Sequence, residues 1–267
     1  MWLLIIDAMP QIISRIESES RPKQFFSAPP LRPLRLSGDL SSAEEFTAET
    51  LNSQRWRREL LDVLVDGIKR RVARERRRRK VGRAYDMALE IARTIPRGSE
   101  VLDVGCGNGF IAHHLSAMLG TGVVGIDVTN HTEAPIDYCC YDGRRFPVAD
   151  SSYDSVLLCY VLHHAQVVQV ILEETRRVLR PGGLALIYED IPQTWWDKGV
   201  CWIHDRQWRD RTGPCRFRSE LEWRHLFQAC GFEIVNEKRL SRWRKLTHPV
   251  GRTSYVLRLL KTQPAAD

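Results

Sequence analysis

Residues Val101–Gly109 read VLDVGCGNG, an apolar segment that runs directly into three glycines at alternate positions. The apolar residues predict a buried strand. Gly105, Gly107 and Gly109 predict a loop in which the backbone passes close to a ligand, because glycine lacks a Cβ and tolerates positive φ. Asp103 lies two residues before the first glycine. The stretch therefore indicates a strand–loop–helix unit with a ligand at the end of the strand.

The spacing of the glycines narrows the choice of ligand. A dinucleotide fingerprint, G-x-G-x-x-G, would need a third glycine at position 110, which is Phe110, and the observed spacing is G-x-G-x-G. A P-loop is not indicated either, because no G-K-[ST] follows the glycines. The loop suits a ligand that carries no phosphates.

Strand and helix patterns alternate along the rest of the chain. Strands are predicted at 101–104, 123–127, 137–141, 155–160, 184–188, 232–237 and 254–260, and helices at 110–119, 167–179 and 219–230. Apolar strands that alternate with helices are typical of a parallel sheet covered on both faces. The predicted fold class is a doubly wound α/β domain with a mostly parallel, seven-stranded sheet.

The segment D-V-G-C-G-N-G resembles the first motif of the class I S-adenosylmethionine-dependent methyltransferases. Ser152–Cys159 resembles their fourth strand, and Arg177–Gly183 resembles their next helix-to-strand turn. The similarity covers about residues 85–261 and is closest to the small-molecule, type 11-like branch. It implies a Rossmann-like methyltransferase fold, S-adenosyl-L-methionine as the cofactor, and methyl transfer as the reaction.

The resemblance also implies which residues bind the cofactor. The first motif would line its methionine end, through Asp103, Gly105, Cys106, Gly107 and Gly109. The ends of the following strands would contact the ribose and adenine, through Asp127, Val128, Asp142, Gly143 and Cys159. A carboxylate suits the ribose because it accepts hydrogen bonds from both hydroxyls.

Three residues are candidates for the catalytic, acceptor side of the site. His163 and His164 follow the predicted fourth strand, where a histidine can take a proton near neutral pH or cap the next helix. Asp190, with Glu189 beside it, follows the fifth strand at the edge where α/β proteins bind ligands.

The sequence shows no cluster of metal ligands, and we expect no metal. The seven cysteines include no C-x-x-C pair.

Composition divides the chain into three parts. Residues 1–40 are rich in Pro, Ser and Arg and predict a poorly ordered arm. Residues 41–84 predict a basic helical extension with an apolar stripe, and residues 85–267 predict the methyltransferase domain, which opens with a separate helix at 85–94. Within that domain, residues 193–218 carry four tryptophans and predict either a lid over an aromatic or apolar substrate or a small helical insertion whose tryptophans pack together.

Charge and hydropathy bear on partners and location. Lys69–Arg83 holds ten Lys or Arg and one Glu, a local +9, so the rest of a chain with net charge +7 carries −2. This run is open to three interpretations: a solvated helix face, a nucleic-acid contact, or a surface for anionic lipid or a protein partner.

No apolar run reaches the roughly 18–20 residues of a membrane span, and the first seven residues lack signal-peptide features. We expect a cytoplasmic protein.

The predicted function is methyl transfer from S-adenosylmethionine to a small-molecule acceptor. Two alternatives remain open. The first is an RNA methyltransferase that holds its substrate through residues 69–83, and the second is a non-catalytic, cofactor-binding scaffold protein.

Overall fold

The computed structural model describes residues 41–240 and 250–259. Along these residues lie α1 (Ser41–Ile91), β1 (Val101–Val104), α2 (Phe110–Leu119), β2 (Val123–Asp127), β3 (Asp137–Cys140), β4 (Tyr153–Cys159), α3 (Val168–Val178), β5 (Leu179–Asp190), α4 (Trp195–Thr212), α5 (Glu220–Ala229), β6 (Phe232–Leu240) and β7 (Arg252–Leu259).

The strands form one sheet in the order β3-β2-β1-β4-β5-β7-β6. Strands β1 to β5 pair in parallel, and β7 pairs antiparallel with both β5 and β6. The predicted fold class, a mostly parallel seven-stranded Rossmann-like sheet, is confirmed.

Helices cover both faces of the sheet because successive strand residues point to opposite sides. On one face, Leu102 and Val104 of β1 pack in a cluster with α3 and α5, which contributes the fully buried Trp223. On the other face, Val101 packs with α2 and with the last turns of α1, which contribute Ile91. The central strands are therefore buried on both sides, and polar groups are left to the strand ends.

Two helical regions differ from the sequence-based expectation. The extension and the separate helix predicted at 85–94 are one helix, α1, that runs to Ile91. The loosely patterned segment after Asp190 contains the 18-residue helix α4, which begins at a capping box formed by Thr194 and Asp197. The predicted arm at residues 1–40 lies outside the described residues.

The chain divides into two compact units, Met1–Val65 and Asp66–Asp267. Of the first unit, the structure describes the helical turns at 41–65, where the apolar residues from Leu61 onward are exposed. In the second unit, Ile68 and Val72 are exposed as well, so these members of the predicted apolar stripe are not packed. None of the helices in the part of the chain that the structure describes has the length and apolar character to cross a membrane.

Candidate functional site

The glycine loop leaves β1 in a conformation that its sequence requires. Gly105, Gly107 and Gly109 have φ of 70°, 54° and 76°, a region that favours glycine. The N–H groups of Gly105 and Cys106 donate to the carbonyl oxygen of Ile126 on β2, at 2.7 and 3.2 Å. A Cβ on Gly105 would lie 2.4 Å from Cγ2 of Val161. The loop is thus anchored to the neighbouring strand and has no room for a side chain at its first glycine.

Asp127 connects the end of β2 to the same loop. Its Oδ2 accepts a hydrogen bond from the Gly107 N–H at 2.8 Å, and its Oδ1 accepts one from the Thr129 N–H at 3.1 Å. Oδ1 also accepts the Thr129 hydroxyl at 3.3 Å. Since a carboxylate oxygen has about two lone-pair sites, Oδ2 is the oxygen that keeps acceptor capacity for a ligand. The carboxylate predicted to contact the ribose therefore also holds the loop predicted to contact the methionine end.

Cys106 is a packing residue in this geometry. Its side chain is buried, and a Cβ on Gly125 of β2 would lie 2.7 Å from its Sγ. Burial, followed by the charges of Asp103 and Asp127, raises the pKa of the Cys106 thiol. The residue therefore offers its backbone to the loop, and its sulfur stays a protonated thiol.

Asp103 is the residue in this half of the site whose hydrogen bonding is incomplete. Its side chain is 2% exposed, and its buried Oδ2 has no hydrogen-bond partner among the described residues. Burial, and then the charge of Asp127, raises its pKa to about 8. An unpaired buried carboxyl is costly, and a cationic donor from a ligand would satisfy it. The amino group of S-adenosylmethionine has that chemistry, so the residues present fit the cofactor that the family resemblance implies.

The residues predicted to contact adenine lie on exposed turns. Oδ1 of Asp142 accepts the N–H groups of Arg144 and Arg145 at 2.8 and 2.9 Å, and these bonds lower the pKa of its carboxyl. Gly143 has φ of 76°, and a Cβ there would lie 3.3 Å from Val128 Cγ1. Asp142 thus shapes the turn beside the loop, and its role toward a ligand stays a prediction.

The residue that follows β4 has a strained backbone and redirects the chain. Tyr160 has φ of 59°, which is uncommon for a residue other than glycine. Its hydroxyl accepts a hydrogen bond from Arg252 at 2.9 Å. Cys159, the last residue of β4, is partly buried against the core, and burial raises the pKa of its thiol well above the usual value. The turn at Tyr160 leads directly to His163 and His164.

His163 and Glu189 form a buried pair at the ends of β4 and β5. Their side chains are 1% and 0% exposed, and Nδ1 of His163 lies 2.7 Å from Oε2 of Glu189. Oε1 of the same carboxylate accepts the Leu162 N–H at 2.8 Å. Burial lowers the pKa of His163, and the charge and hydrogen bond of Glu189 more than offset this, so the pKa is raised. Glu189 thus holds the segment after β4, and the role of Asp190 toward a substrate stays a prediction.

Asp190 follows Glu189 at the end of β5. It is partly buried, and burial is the main cause that raises its pKa to about 6. Helix α4 follows it and bears three largely exposed tryptophans, Trp195, Trp196 and Trp202. A cleft of about 650 Å³ runs along the helix and is lined in part by Trp202. Trp195 and Trp196 contact each other edge to face, with ring centroids 6.2 Å apart, and the fourth tryptophan, Trp208, stacks on His204. The lid and the helical insertion therefore both stay predictions.

The structure also brings together groups that the sequence analysis did not connect. Ring nitrogens of His163, His164 and His204 all lie within 4.8 Å of one another. No cluster of ligands was expected, because 40 residues separate His164 from His204. His204 is the functional candidate that the sequence analysis missed, and its position on a helix with no clear apolar period gave no signal.

The basic run of α1 is only partly free of the domain surface. Arg77 Nε and Lys80 Nζ lie 3.8 and 3.6 Å from the two carboxylate oxygens of Glu133, and Arg79 pairs with Glu75 one turn away. Most of the other basic side chains of the run are exposed. Part of the charge thus contacts the domain, and the rest is open to solvent or a partner.

Comparisons with known proteins show what the domain is similar to. The model of a methyltransferase domain family matches residues 102–187. A sterol 24-C-methyltransferase from Gibberella zeae is 30% identical over 108 residues, which is 36% of this chain and 28% of the relative. A tRNA (carboxymethyluridine(34)-5-O)-methyltransferase from Macaca fascicularis is 33% identical over 111 residues, which is 38% of this chain and 16% of the relative. The chain thus spans less than a third of the length of either of these two relatives.

A solved structure supports the fold. A SAM-dependent methyltransferase from Methanosarcina mazei superposes with a TM-score of 0.50 at 20% identity, and the match covers 64% of this chain and 96% of that one. At this identity the likeness establishes the architecture. It does not extend to the substrate.

Asp103 leads to a prediction about pH and stability in the ligand-free protein. In the unfolded chain its carboxyl loses its proton near pH 4, whereas in the folded protein it keeps the proton until about pH 8. Folding stability is therefore lost as pH rises between these values. Asp103→Asn has no carboxyl at this position and should not lose stability in this way. The difference in free energy of unfolding, variant minus wild type, should therefore rise by about a few kcal/mol from pH 4 to pH 8.

Urea unfolding of both proteins at several pH values measures this difference. Asp137→Ala, which removes an exposed carboxylate on β3, is the matched control and should show no such trend. A difference between Asp103→Asn and wild type that stays constant across the range would contradict the assignment of a buried, protonated carboxyl.

Proposed function

We propose that this chain, a class I S-adenosylmethionine-dependent methyltransferase by its fold and by its methyltransferase domain at residues 102–187, transfers a methyl group to a small molecule. The observation that carries the proposal is the buried carboxyl of Asp103 beside the glycine loop, whose Oδ2 has no partner in the described part of the chain. When bound, S-adenosylmethionine supplies an activated methyl group together with its leaving group. The protein's task is then mainly to position the acceptor.

Different residues at the ends of the strands would bind different parts of the cofactor. Asp103 would pair with its amino group, and the backbone from Gly105 to Gly109, with Cys106, would line the methionine end. Oδ2 of Asp127 accepts one N–H, from Gly107, while Oδ1 accepts both the N–H and the hydroxyl of Thr129. Oδ2 therefore keeps an acceptor site that suits a ribose hydroxyl. We assign Asp142, Gly143 and Val128 to the adenine and Cys159 to the floor of the site.

On the acceptor side, Asp190 is the group suited to take a proton. Its pKa of about 6 leaves it ionised at neutral pH and close enough to neutrality to exchange a proton. His163 and His164 each use Nδ1 in hydrogen bonds to neighbouring side chains, Glu189 and Thr212. We therefore assign these histidines to shaping the acceptor side and assign proton transfer to Asp190.

Two observations favour a small acceptor. The chain outside residues 69–83 has a net charge of −2, which gives a polyanion no general attraction. The cleft along α4, about 650 Å³, is in the range of small-molecule sites, and one of the relatives is named for a sterol substrate. An RNA acceptor is the second candidate, favoured by the exposed part of the basic run and by the tRNA methyltransferase among the relatives.

Replacement of Asp127 tests the cofactor assignment. Asp127→Ala removes the acceptors for the ribose and the anchor of the Gly107 N–H. Because charged hydrogen bonds contribute about 1.5–3 kcal/mol, calorimetric titration should show S-adenosylmethionine binding weakened about ten- to a hundredfold. Asp137→Ala should bind like wild type. Equal affinity in Asp127→Ala and wild type would refute the ribose role.

The acceptor class is tested with methyl-labelled S-adenosylmethionine and fractionated cell extract. We expect label to enter the small-molecule fraction. As a matched control, glutamine at Arg70, Arg71, Arg74 and Arg78, four exposed positions of the basic run, should leave that transfer unchanged. Label in RNA that this variant loses at moderate salt would support the RNA alternative. Cofactor binding without transfer to any fraction would support the scaffold alternative.

Asp190→Asn tests the proton acceptor once the labelled product is known. For a hydroxyl acceptor, loss of a positioned base typically slows transfer by about 10²- to 10⁴-fold. We expect kcat to fall in this range while the dissociation constant for S-adenosylmethionine stays unchanged. A variant with wild-type kcat would exclude Asp190 from proton transfer.

A further inference from the structure

Three histidines meet beside the end of β4. His163 and His164 belong to the turn after this strand, and His204 lies in the middle of α4. One ring nitrogen from each lies within 4.8 Å of the others, and Nε2 of His164 lies 3.2 Å from Nε2 of His204. Such a convergence of imidazoles requires either hydrogen bonds among them or a shared ligand.

The hydrogen bonds of His163 leave one nitrogen without a role. Nδ1 faces Oε2 of the fully buried Glu189 at 2.7 Å and donates to that carboxylate. Its Nε2 is buried and has no hydrogen-bond partner within the described residues. A carboxylate on the far nitrogen of a histidine is the common way in which proteins orient a metal-binding imidazole. The pair therefore leaves Nε2 of His163 with a free lone pair, in a histidine that has a ring nitrogen within 4.8 Å of those of the other two rings.

The surroundings of His164 lead to the same tautomer. Nδ1 lies 3.1 Å from the Thr212 hydroxyl oxygen, and that hydroxyl donates its proton to the Trp208 carbonyl at 3.3 Å. The oxygen of Thr212 therefore accepts from Nδ1–H of His164. The Sγ of Cys215 lies 3.3 Å from the same Nδ1. Nε2 of His164 is left with a lone pair that points toward His204.

We propose that His163, His164 and His204 form a binding site for a divalent transition-metal ion, with Zn²⁺ as the representative ion. Imidazole nitrogens bind Zn²⁺ at about 2.0–2.1 Å, which in a tetrahedral site places two nitrogens about 3.4 Å apart. The 3.2 Å between Nε2 of His164 and Nε2 of His204 fits this spacing. The three ring nitrogens lie at most 4.8 Å apart, so a shift of little more than 1 Å would bring every pair to the distance that the ion requires. The inference does not depend on methyl transfer.

A plain hydrogen bond between His204 and His164 is the simplest competing explanation. It accounts for their 3.2 Å separation if Nε2 of His204 carries a proton. It leaves the buried Nε2 of His163 without a partner, however, and it gives no reason for two neighbouring rings to turn their lone pairs toward one point. A bound ion satisfies all three nitrogens at once.

The site has an access route and a structural consequence. Cys215, which contacts His164, and Phe217, whose ring stacks on His163 with centroids 4.8 Å apart, both line the cleft along α4. Three protein ligands leave a fourth position for water or another oxygen ligand. The ion would join the turn after β4 to α4, and so fix the helix that borders the proposed acceptor side.

Metal titration of a full-length chain without a histidine tag tests the proposal. Chelator-treated protein is titrated with Zn²⁺ by calorimetry and with Co²⁺ by visible absorption, which reports coordination directly. We expect one ion per chain, a tetrahedral Co²⁺ spectrum, and a higher Tm with Zn²⁺. If wild-type protein binds no ion more tightly than about 10 µM, the proposal is wrong, whatever the variants show.

His204→Ala supplies the specific test. It removes one ligand from a partly buried position on the helix, so affinity for Zn²⁺ should fall by at least about 100-fold and the rise in Tm should disappear. His225→Ala, at an exposed histidine on α5, is the matched control and should bind like wild type. Equal Zn²⁺ affinity in His204→Ala and wild type would assign the ion to another site. Cofactor affinity, measured separately, keeps this result distinct from the test of Asp127.

Discussion

Parallel pairing of β1, β2, β4 and β5 places the ends of four strands at one edge of the sheet, and the candidate groups of this chain depend on that alignment. The register pairs Val104 of β1 with Ile126 of β2 and with Leu158 of β4, and it pairs Cys159 of β4 with Tyr188 of β5. Each strand thus delivers its following polar residues to the same edge. A slip of one residue would turn the apolar side chains of these strands to the wrong face.

Several features that are unfavourable for stability lie at this edge. Within the part of the chain that the structure describes, a buried oxygen of Asp103 and a buried ring nitrogen of His163 lack hydrogen-bond partners, and Tyr160 occupies a left-handed conformation. Each of these features is unfavourable by itself, and each lies at the end of a strand whose interior is well packed on both faces. Such features persist where the surrounding fold imposes them, and they cluster at sites that bind or react.

The parts of the structure that local patterns encode could be predicted from the sequence. The glycine motif and the apolar strands indicated the sheet, its class and the cofactor side, because their signals are short in range. Helix α4 was predicted only as one of two alternatives for residues 193–218. Its buried positions include Asp197 and Asp205 while Trp195 and Trp202 face outward, so its sequence shows no apolar period. The histidine cluster was missed because its members meet only through the fold, and Glu189 could not be recognised as their buried partner from its place in the chain.

Four of the carboxyl groups at this edge, Asp103, Asp127, Asp142 and Asp190, differ in chemistry because their surroundings differ. Asp142 accepts the N–H groups of Arg144 and Arg145, which lowers the pKa of its carboxyl, and Asp127 holds the glycine loop through the Gly107 N–H. Asp103 is enclosed with an unpaired oxygen and has a pKa of about 8, so it suits a ligand that brings its own positive charge. Asp190 is less enclosed and has a pKa of about 6, so it suits proton exchange with an acceptor. Environment, and not residue type, therefore separates the group that recognises the donor from the group that serves the acceptor.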